Sequence, residues 1–323
     1  MNAPASPGAP RTVFHRDLVG RPSARRFDIP AAWIIFVALA YLPNFAPKRS
    51  INLVSLTLFW SFFAMTLIIL CDQVTLALEQ RSLMREVTGT RKAWLRFLSV
   101  GALSGVLLDG VAQWLGKLWI YPYWNEIVYA GTFVIGFCAY WLATAETYLA
   151  VKAILNRWSR NSPRAMLPRC CAPPLFRALG IAGLALTACG LPLLVADYRQ
   201  MGGYVFEIQE PLRMKAHFGY FLMSFIGIWF ILEWAQFTRG RLSLLNTIFC
   251  GDRQPLYALL IASAIFGFFW ETVNAAHHFW IYTNWPFSQW QVMGVPVTVL
   301  LTWPLQYVVF LSLGFLLEHD CWS

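Results

Sequence analysis

The chain has 323 residues, of which 58% are hydrophobic and only 13% charged, against about 25% charged in an ordinary soluble domain. The net charge is +9, but the basic residues are confined to particular loops, so nucleic acid is not an implied partner; the lipid bilayer is. Sixteen tryptophans and an aromatic content of 16% suit interfacial belts or a binding cavity, and composition alone does not separate the two.

Residues 1–29 are rich in Pro, Ala, Ser and Arg without apolar periodicity and read as a disordered cytoplasmic tail. Arg25 and Arg26 then precede the first apolar run. Eight apolar stretches follow, near residues 31–46, 51–74, 97–116, 127–151, 178–196, 217–237, 256–276 and 292–317. Since a span needs about 20 apolar residues and lipid forces each span to satisfy its own backbone, the expected fold is all-α: a polytopic bundle of about eight transmembrane helices. Pro43, Pro192, Pro296 and Pro304 are places where helices 1, 5 and 8 could break. Nineteen of the 25 Lys and Arg residues fall in the tail and in segments 79–96, 152–177 and 238–255. The other six are Lys48, Arg49, Lys117, Arg199, Arg213 and Lys215. The positive-inside rule then puts both termini in the cytoplasm, in a bacterial inner membrane.

An internal repeat is legible. Asp72 precedes Ser82-Leu83-Met84 by ten residues, and Glu233 precedes Ser243-Leu244-Leu245 by ten. Asp109 stands four residues after Gly105, and Glu271 four after Gly267. Trp119-Ile120-Tyr121 matches Trp280-Ile281-Tyr282, 47 residues after the first acid in each half. Leu42-Pro43 answers Leu191-Pro192, which argues that the first apolar run is retained rather than cleaved as a signal peptide. The expected organisation is a first four-helix repeat over 30–155, a basic cytoplasmic linker over 156–177, a second repeat over 178–318 and a short tail over 319–323. Four helices per half make the repeats parallel.

Ionisable side chains within spans are costly and mark functional sites. Asp109 and Glu271 are therefore the candidate catalytic acid and base, each with an amide on the same face of its helix, Gln113 and Asn274. Their alternative role is to fix helix packing. Gln113, Trp119, Tyr121, Trp270, Asn274, Trp280 and Tyr282 are candidate substrate-binding residues, the aromatic ones because their spacing beside the acids is fixed whereas belt residues need no spacing; aromatic faces of this kind stabilise cations. Asp72 and Glu233 form a second pair near the inner ends of helices 2 and 6, where capping is an equal reading. Glu146 in helix 4 has Gln306 as its nearest counterpart in helix 8.

No metal site and no cofactor is implied. His277 and His278 lack further ligands, no Cys spacing reads as a zinc site, and the seven cysteines are expected to be free thiols. No P-loop, Asp-rich diphosphate motif or Ser-His-Asp arrangement is present.

Trp270-Glu271-x-x-Asn274 followed by Trp280-x-Tyr282, with a further helix containing Gly294, resembles a group of bacterial polytopic membrane proteins of unassigned function. The architecture is also similar to membrane-embedded lycopene cyclase domains and integral-membrane terpene cyclases, in which carboxylic acids protonate an isoprenoid to start cyclisation. That resemblance implies a lipophilic, isoprenoid or carotenoid-like substrate with Glu271 and Asp109 as the acids. The chain departs from it at Pro304-Leu305-Gln306-Tyr307, where lycopene cyclase domains carry two adjacent glutamates. The other readings are a proton-coupled transporter or channel for a small lipophilic or cationic solute, and a non-catalytic subunit of a membrane complex.

Overall fold

A computed structural model describes residues 29–41, 53–123, 126–158, 173–200 and 217–317. Most of residues 1–29, the Leu42-Pro43 pair, Cys170, Cys171, most of the basic linker and the 319–323 tail lie outside them. The described chain is mostly helical, and five of its helices are long and apolar enough to cross a membrane: Phe59–Glu79, Arg91–Leu115, Pro173–Gln200, Phe218–Thr238 and Gln254–Ala275.

In chain order the elements are α1 (Ile29–Tyr41), α2 (Leu53–Glu79), a short α3 (Leu83–Thr88) and α4 (Arg91–Gly105), which runs on as a π-helix over Val106–Leu115. Strand β1 (Trp119–Ile120) follows. Then α5 (Glu126–Gly131) passes through a π-helical stretch, Thr132–Gly136, into α6 (Phe137–Trp158). The remainder comprises α7 (Pro173–Gln200), α8 (Phe218–Thr238), a short α9 (Leu244–Phe249), α10 (Gln254–His277), β2 (Ile281–Tyr282), the pair β3 (Gln291–Val292) and β4 (Val295–Pro296), and α11 (Val297–Leu313).

Three expectations are corrected. Residues 292–296 are not the start of a helix but a two-residue hairpin, because Met293 and Gly294 both take positive φ (55° and 78°), the backbone of a mirror-image turn that suits strand twist. Pro192 and Pro304 break nothing: each sits inside a continuous helix, α7 and α11, while Pro296 precedes α11 as its N-cap. Cys71, Cys138 and Cys189 are free thiols, whereas Cys250 is disulfide-bonded.

Helix α6 forms the centre. Its residues from Trp141 to Ala153 are all buried, and it packs along α2, α4, α10 and α11. Thr144, Glu146, Thr147 and Lys152 dilute its hydropathy, which is why α6 is absent from the apolar set; its neighbours, not lipid, cover it. Trp141 Nε1 donates to the Phe310 carbonyl at 2.8 Å, tying α6 to α11. At one end, Asn156 Nδ2 donates to Glu79 Oε1 at 2.5 Å and Gln254 donates to Asn156, so α6 joins α2 and α10.

Helix α7 is the most outward of the long helices and packs along α8. The contact is backbone to backbone: a Cβ on Gly183 would lie 2.7 Å from the Gly227 carbonyl oxygen, and one on Gly227 would lie 2.4 Å from Thr187 Oγ1. Small residues that let backbones approach are the usual adhesive of helices in lipid, where no hydrophobic effect pushes them together. The opposite side of α7 shows Ile181 (63% exposed) and Leu184 outward, the exterior expected of a chain solvated by acyl chains.

Candidate functional site

Strands β1 and β2 pair antiparallel, with Trp119 opposite Tyr282 and Ile120 opposite Ile281. The two Trp-Ile-Tyr motifs, 161 positions apart in sequence, thus lie against each other about the Ile120–Ile281 pair. Thr283 N donates to the Leu118 carbonyl at 3.0 Å and Thr283 Oγ1 to the Lys117 carbonyl, which extends the seam.

Each motif holds the acid of its own helix. Tyr121 Oη donates to Asp109, 3.0 Å from Oδ1 and 3.2 Å from Oδ2. Tyr282 Oη donates to Glu271 Oε1 and itself accepts from Trp280 Nε1 at 2.9 Å. Burial first, and then the adjacent carboxyl, hold both phenols well above their ordinary pKa of 10.0, so they remain donors. Asn274 Oδ1 accepts from Trp280 N at 3.0 Å, locking the loop onto α10. Gln113 Oε1 accepts from Tyr129 Oη at 3.1 Å.

Beneath this seam lies a cavity of about 710 Å³, within the range of small-molecule sites, about 300–1,000 Å³. Its wall draws on α2, the π-helix after α4, α5–α6, α8, α10, both Trp-Ile-Tyr motifs and α11. Of the residues singled out from sequence, Glu271, Trp119, Tyr121, Trp270, Trp280, Tyr282 and Gln306 line it. Asp109, Gln113 and Asn274 are buried but stand behind the wall. The two acids are therefore not equivalent: Glu271 fronts the cavity, and Asp109 reaches it only through Tyr121.

Glu271 is 3% exposed, and its Oε2, itself buried, meets no hydrogen-bond partner among the described residues. Around it Trp270 packs on Trp60 (ring centroids 4.6 Å apart), Phe266 (4.8 Å) and Tyr140 (5.0 Å). Gln306 Nε2 donates to Tyr140 Oη at 2.6 Å. Some wall residues also face the outside of the bundle: Ser61 and Met65 on α2, Gly131 on α5, and Ile135 (74% exposed) on the π-helical stretch after α5. Among the described residues no three His, Cys, Asp or Glu side chains cluster as metal ligands.

Trp60 and Tyr140 were not among the sequence candidates. A signal for Trp60 exists: it stands twelve residues before Asp72, as the wall residue Phe221 stands twelve before Glu233. Tyr140 carries no such mark.

The second acidic pair lies elsewhere and caps helices. Ser82 is the N-cap of α3, accepting from Arg85 N at 3.2 Å, and donates to Asp72 Oδ1 at 2.6 Å. Ser243 caps α9 by accepting from Asn246 N at 3.4 Å. Glu233 accepts from Leu245 N at 3.2 Å and Trp229 Nε1 at 2.9 Å. The first-turn amide equivalent to Leu245 is Met84 N, and it donates to Glu146 Oε1 at 3.1 Å. One long glutamate does for α9 what an aspartate plus Glu146 do for α3. That explains why α11 carries no acid matching Glu146, and Gln306 is free to serve the cavity.

No known family, no curated protein and no solved structure matches this chain.

Proposed function

We propose that the chain is a membrane-embedded enzyme for a lipophilic, isoprenoid-like substrate, with Glu271 as the acid or base at the reacting atoms. One observation carries this: in a cavity wall that is mostly aromatic and apolar, Glu271 is the one carboxyl among the described residues, and Tyr282 holds one of its oxygens. A carboxyl that exchanges a proton with a substrate must be held in a fixed orientation at the wall of the site. Asp109 is a positioning residue in this scheme: through Tyr121 it steadies the motif that pairs with the Tyr282 motif. Trp60, Trp270 and Trp280 offer ring faces to positive charge developing on a carbon skeleton.

The enzyme is proposed to be two parallel four-helix halves with eight spans, sharing one site at their interface. Support comes from the element order, helix–helix–short helix–helix–strand–closing helix in both halves apart from the β3–β4 hairpin of the second, the Ser caps of α3 and α9, and the pairing of the Trp-Ile-Tyr motifs. The basic-loop bias supports an inner membrane with both termini cytoplasmic. Reporter fusions at each terminus are the deciding assay. The transporter reading keeps the paired acids and parallel repeats it rests on, but finds no helix break at Pro192 or Pro304, where α7 and α11 run on.

The test is lipid profiling of a host expressing the chain beside Glu271→Gln, with both proteins shown to extract as the same monodisperse species. The expected result is one lipophilic species altered by the parent and untouched by Glu271→Gln. An identical change from both variants refutes Glu271 chemistry.

A further inference from the structure

We propose that the cavity is entered from the side, through a portal between α2 and the stretch from Gly131 to Gly136, and that a lipophilic substrate comes in there from the hydrocarbon of the bilayer rather than from water; this rests on the reading of the cavity given above.

The portal follows from where the wall is exposed. Among the described residues that line the cavity, those exposed on the outside of the molecule are Ser61, Met65, Gly131 and Ile135, and no others. They fall on two elements, α2 and the stretch that leads into α6, and α2 packs along α6, so the two sides of the portal are neighbours. The roof at the paired motifs differs. Of its wall residues, Trp119, Tyr121, Phe279 and Trp285 are buried, and Trp280 and Tyr282 are partly buried.

Gly131 supplies an independent reason. Its backbone is ordinary right-handed helix, φ −63° and ψ −43°, which requires no glycine. A Cβ there would meet nothing within 4 Å, so no close approach requires one either. Glycine inside a helix is less stable than alanine. A glycine with neither reason, on the wall of a cavity and at its exposed edge, keeps a passage clear of side chain. Gly136 lines the cavity at the far end of the same π-helical stretch, and π-helical insertions are frequent at functional sites.

The surroundings of the portal fix the medium it opens onto. Ser61 and Met65 lie within Phe59–Glu79, one of the helices able to cross a membrane. There α2 turns Phe62 (56% exposed), Met65 (45%) and Ile69 (44%) outward, a stripe at intervals of three and four residues. Ile135 stands opposite, and none of the four rim residues is charged. An apolar rim on a membrane-crossing helix meets acyl chains. A lipophile dissolved among them reaches the cavity without exposing its apolar surface to water, which would be unfavourable.

The experiment uses the full-length chain in phosphatidylcholine liposomes and a matched pair of photoreactive compounds: a trifluoromethylphenyl diazirine, which dissolves in the bilayer, and the same ring bearing a sulfonate, which stays in water. After brief mixing and a flash, peptide mass spectrometry reads insertion at two places. Phe221 and Phe225 are buried wall residues on α8, and Ile181 and Leu184 are exposed on α7. The apolar compound is expected at both places and the sulfonate at neither. Gly131→Trp and Met65→Trp, alone and together, put a ring into the portal from either side, while Gly131→Ala adds only a methyl. The tryptophan variants should lose insertion at Phe221 and Phe225 and keep it at Ile181 and Leu184, which reports that they still fold and insert. Gly131→Ala should keep both. Insertion of the sulfonate at the inner wall, inner insertion of the apolar compound that every tryptophan variant leaves intact, or no inner insertion in the parent overturns the portal. None of these outcomes decides Glu271 chemistry, which falls separately if Glu271→Gln changes the lipid profile as the parent does.

Discussion

Tyr282→Phe removes one oxygen and changes no ring packing, so its effect isolates the hydrogen bonds at the cavity wall. Two groups lose their partner at once. Trp280 Nε1, which donates to Tyr282 Oη at 2.9 Å, is left without it. So is Glu271 Oε1, and its Oε2 already has none. An orphaned buried polar group costs about 1–3 kcal/mol. Hydrogen bonds between helices in membranes measure nearer ~0.6 kcal/mol, because the unfolded reference also finds partners. For two orphans the expected loss is about 2 kcal/mol. Glu271→Leu in the Tyr282→Phe background removes the unsatisfied carboxyl, so the double variant should recover roughly half of that loss, about 1 kcal/mol. Unfolding of the purified chain by titrating sodium dodecyl sulfate into mild-detergent micelles, followed by near-ultraviolet circular dichroism, measures both quantities. If Tyr282→Phe unfolds at the parent midpoint, or the double variant is less stable than Tyr282→Phe alone, then Tyr282 does not hold the Glu271 carboxyl and the proposed geometry of the acid is wrong.

Gly227→Leu should drive α7 off α8, since its side chain would start 2.8 Å from the Gly183 carbonyl oxygen and 2.4 Å from Thr187 Oγ1; loss of monodisperse protein on size exclusion is expected, while Gly219→Ala, into open space, should be silent. Ser243→Ala removes the cap of α9 and should cost about 1 kcal/mol, read in the same unfolding titration. Tyr121→Phe and Tyr282→Phe should each leave unchanged the tyrosinate absorbance that develops around the ordinary phenol value of 10.0, because both phenols are held well above it. The corresponding stability lies on the acid side: it is intact below pH 10.0, the unfolded value, and falls as pH rises beyond it, where the unfolded chain releases protons that the folded one keeps. A drop in tyrosinate amplitude for either variant in that range contradicts the burial.

Elements and motifs were legible in the sequence to different degrees. Long apolar runs place α8 and α10 to within about two residues at each end and miss up to about six residues at an end of α2, α4 and α7, because hydropathy reports on lipid contact and not on where a helix stops. The start of α11 was misread because Val292, Val295 and Val297 are as apolar as a helix would be, and only the positive φ at Met293 and Gly294 turns the chain there. Prolines at 192 and 304 suggested breaks, but each helix continues past its proline with local adjustment. The acids and the Trp-Ile-Tyr motifs could be picked out by spacing. Spacing could not say that Glu271 would front the cavity and Asp109 stand behind Tyr121, nor that the two motifs would pair with each other. Gln306 was matched to Glu146 by position, yet one serves the cavity and the other caps α3. Such distinctions depend on how far a side chain reaches, which a linear pattern does not encode.

The π-helix of Val106–Leu115 has a consequence for how such a site changes over time. Counting back from the paired strands, Asp109 lies ten residues before Trp119, whereas Glu271 lies nine before Trp280. The wider turns of a π-helix are the way a helix absorbs one additional residue without moving its ends. An ordinary helical residue advances the chain by about 100°, so a residue taken up within the π-helix re-aims the side chains inside it, Asp109 among them, while the helix ends and the loops keep their seating. A one-residue length change is thus a steering operation: it retires a carboxyl from the chamber, or returns one to it, without any substitution at the carboxyl itself.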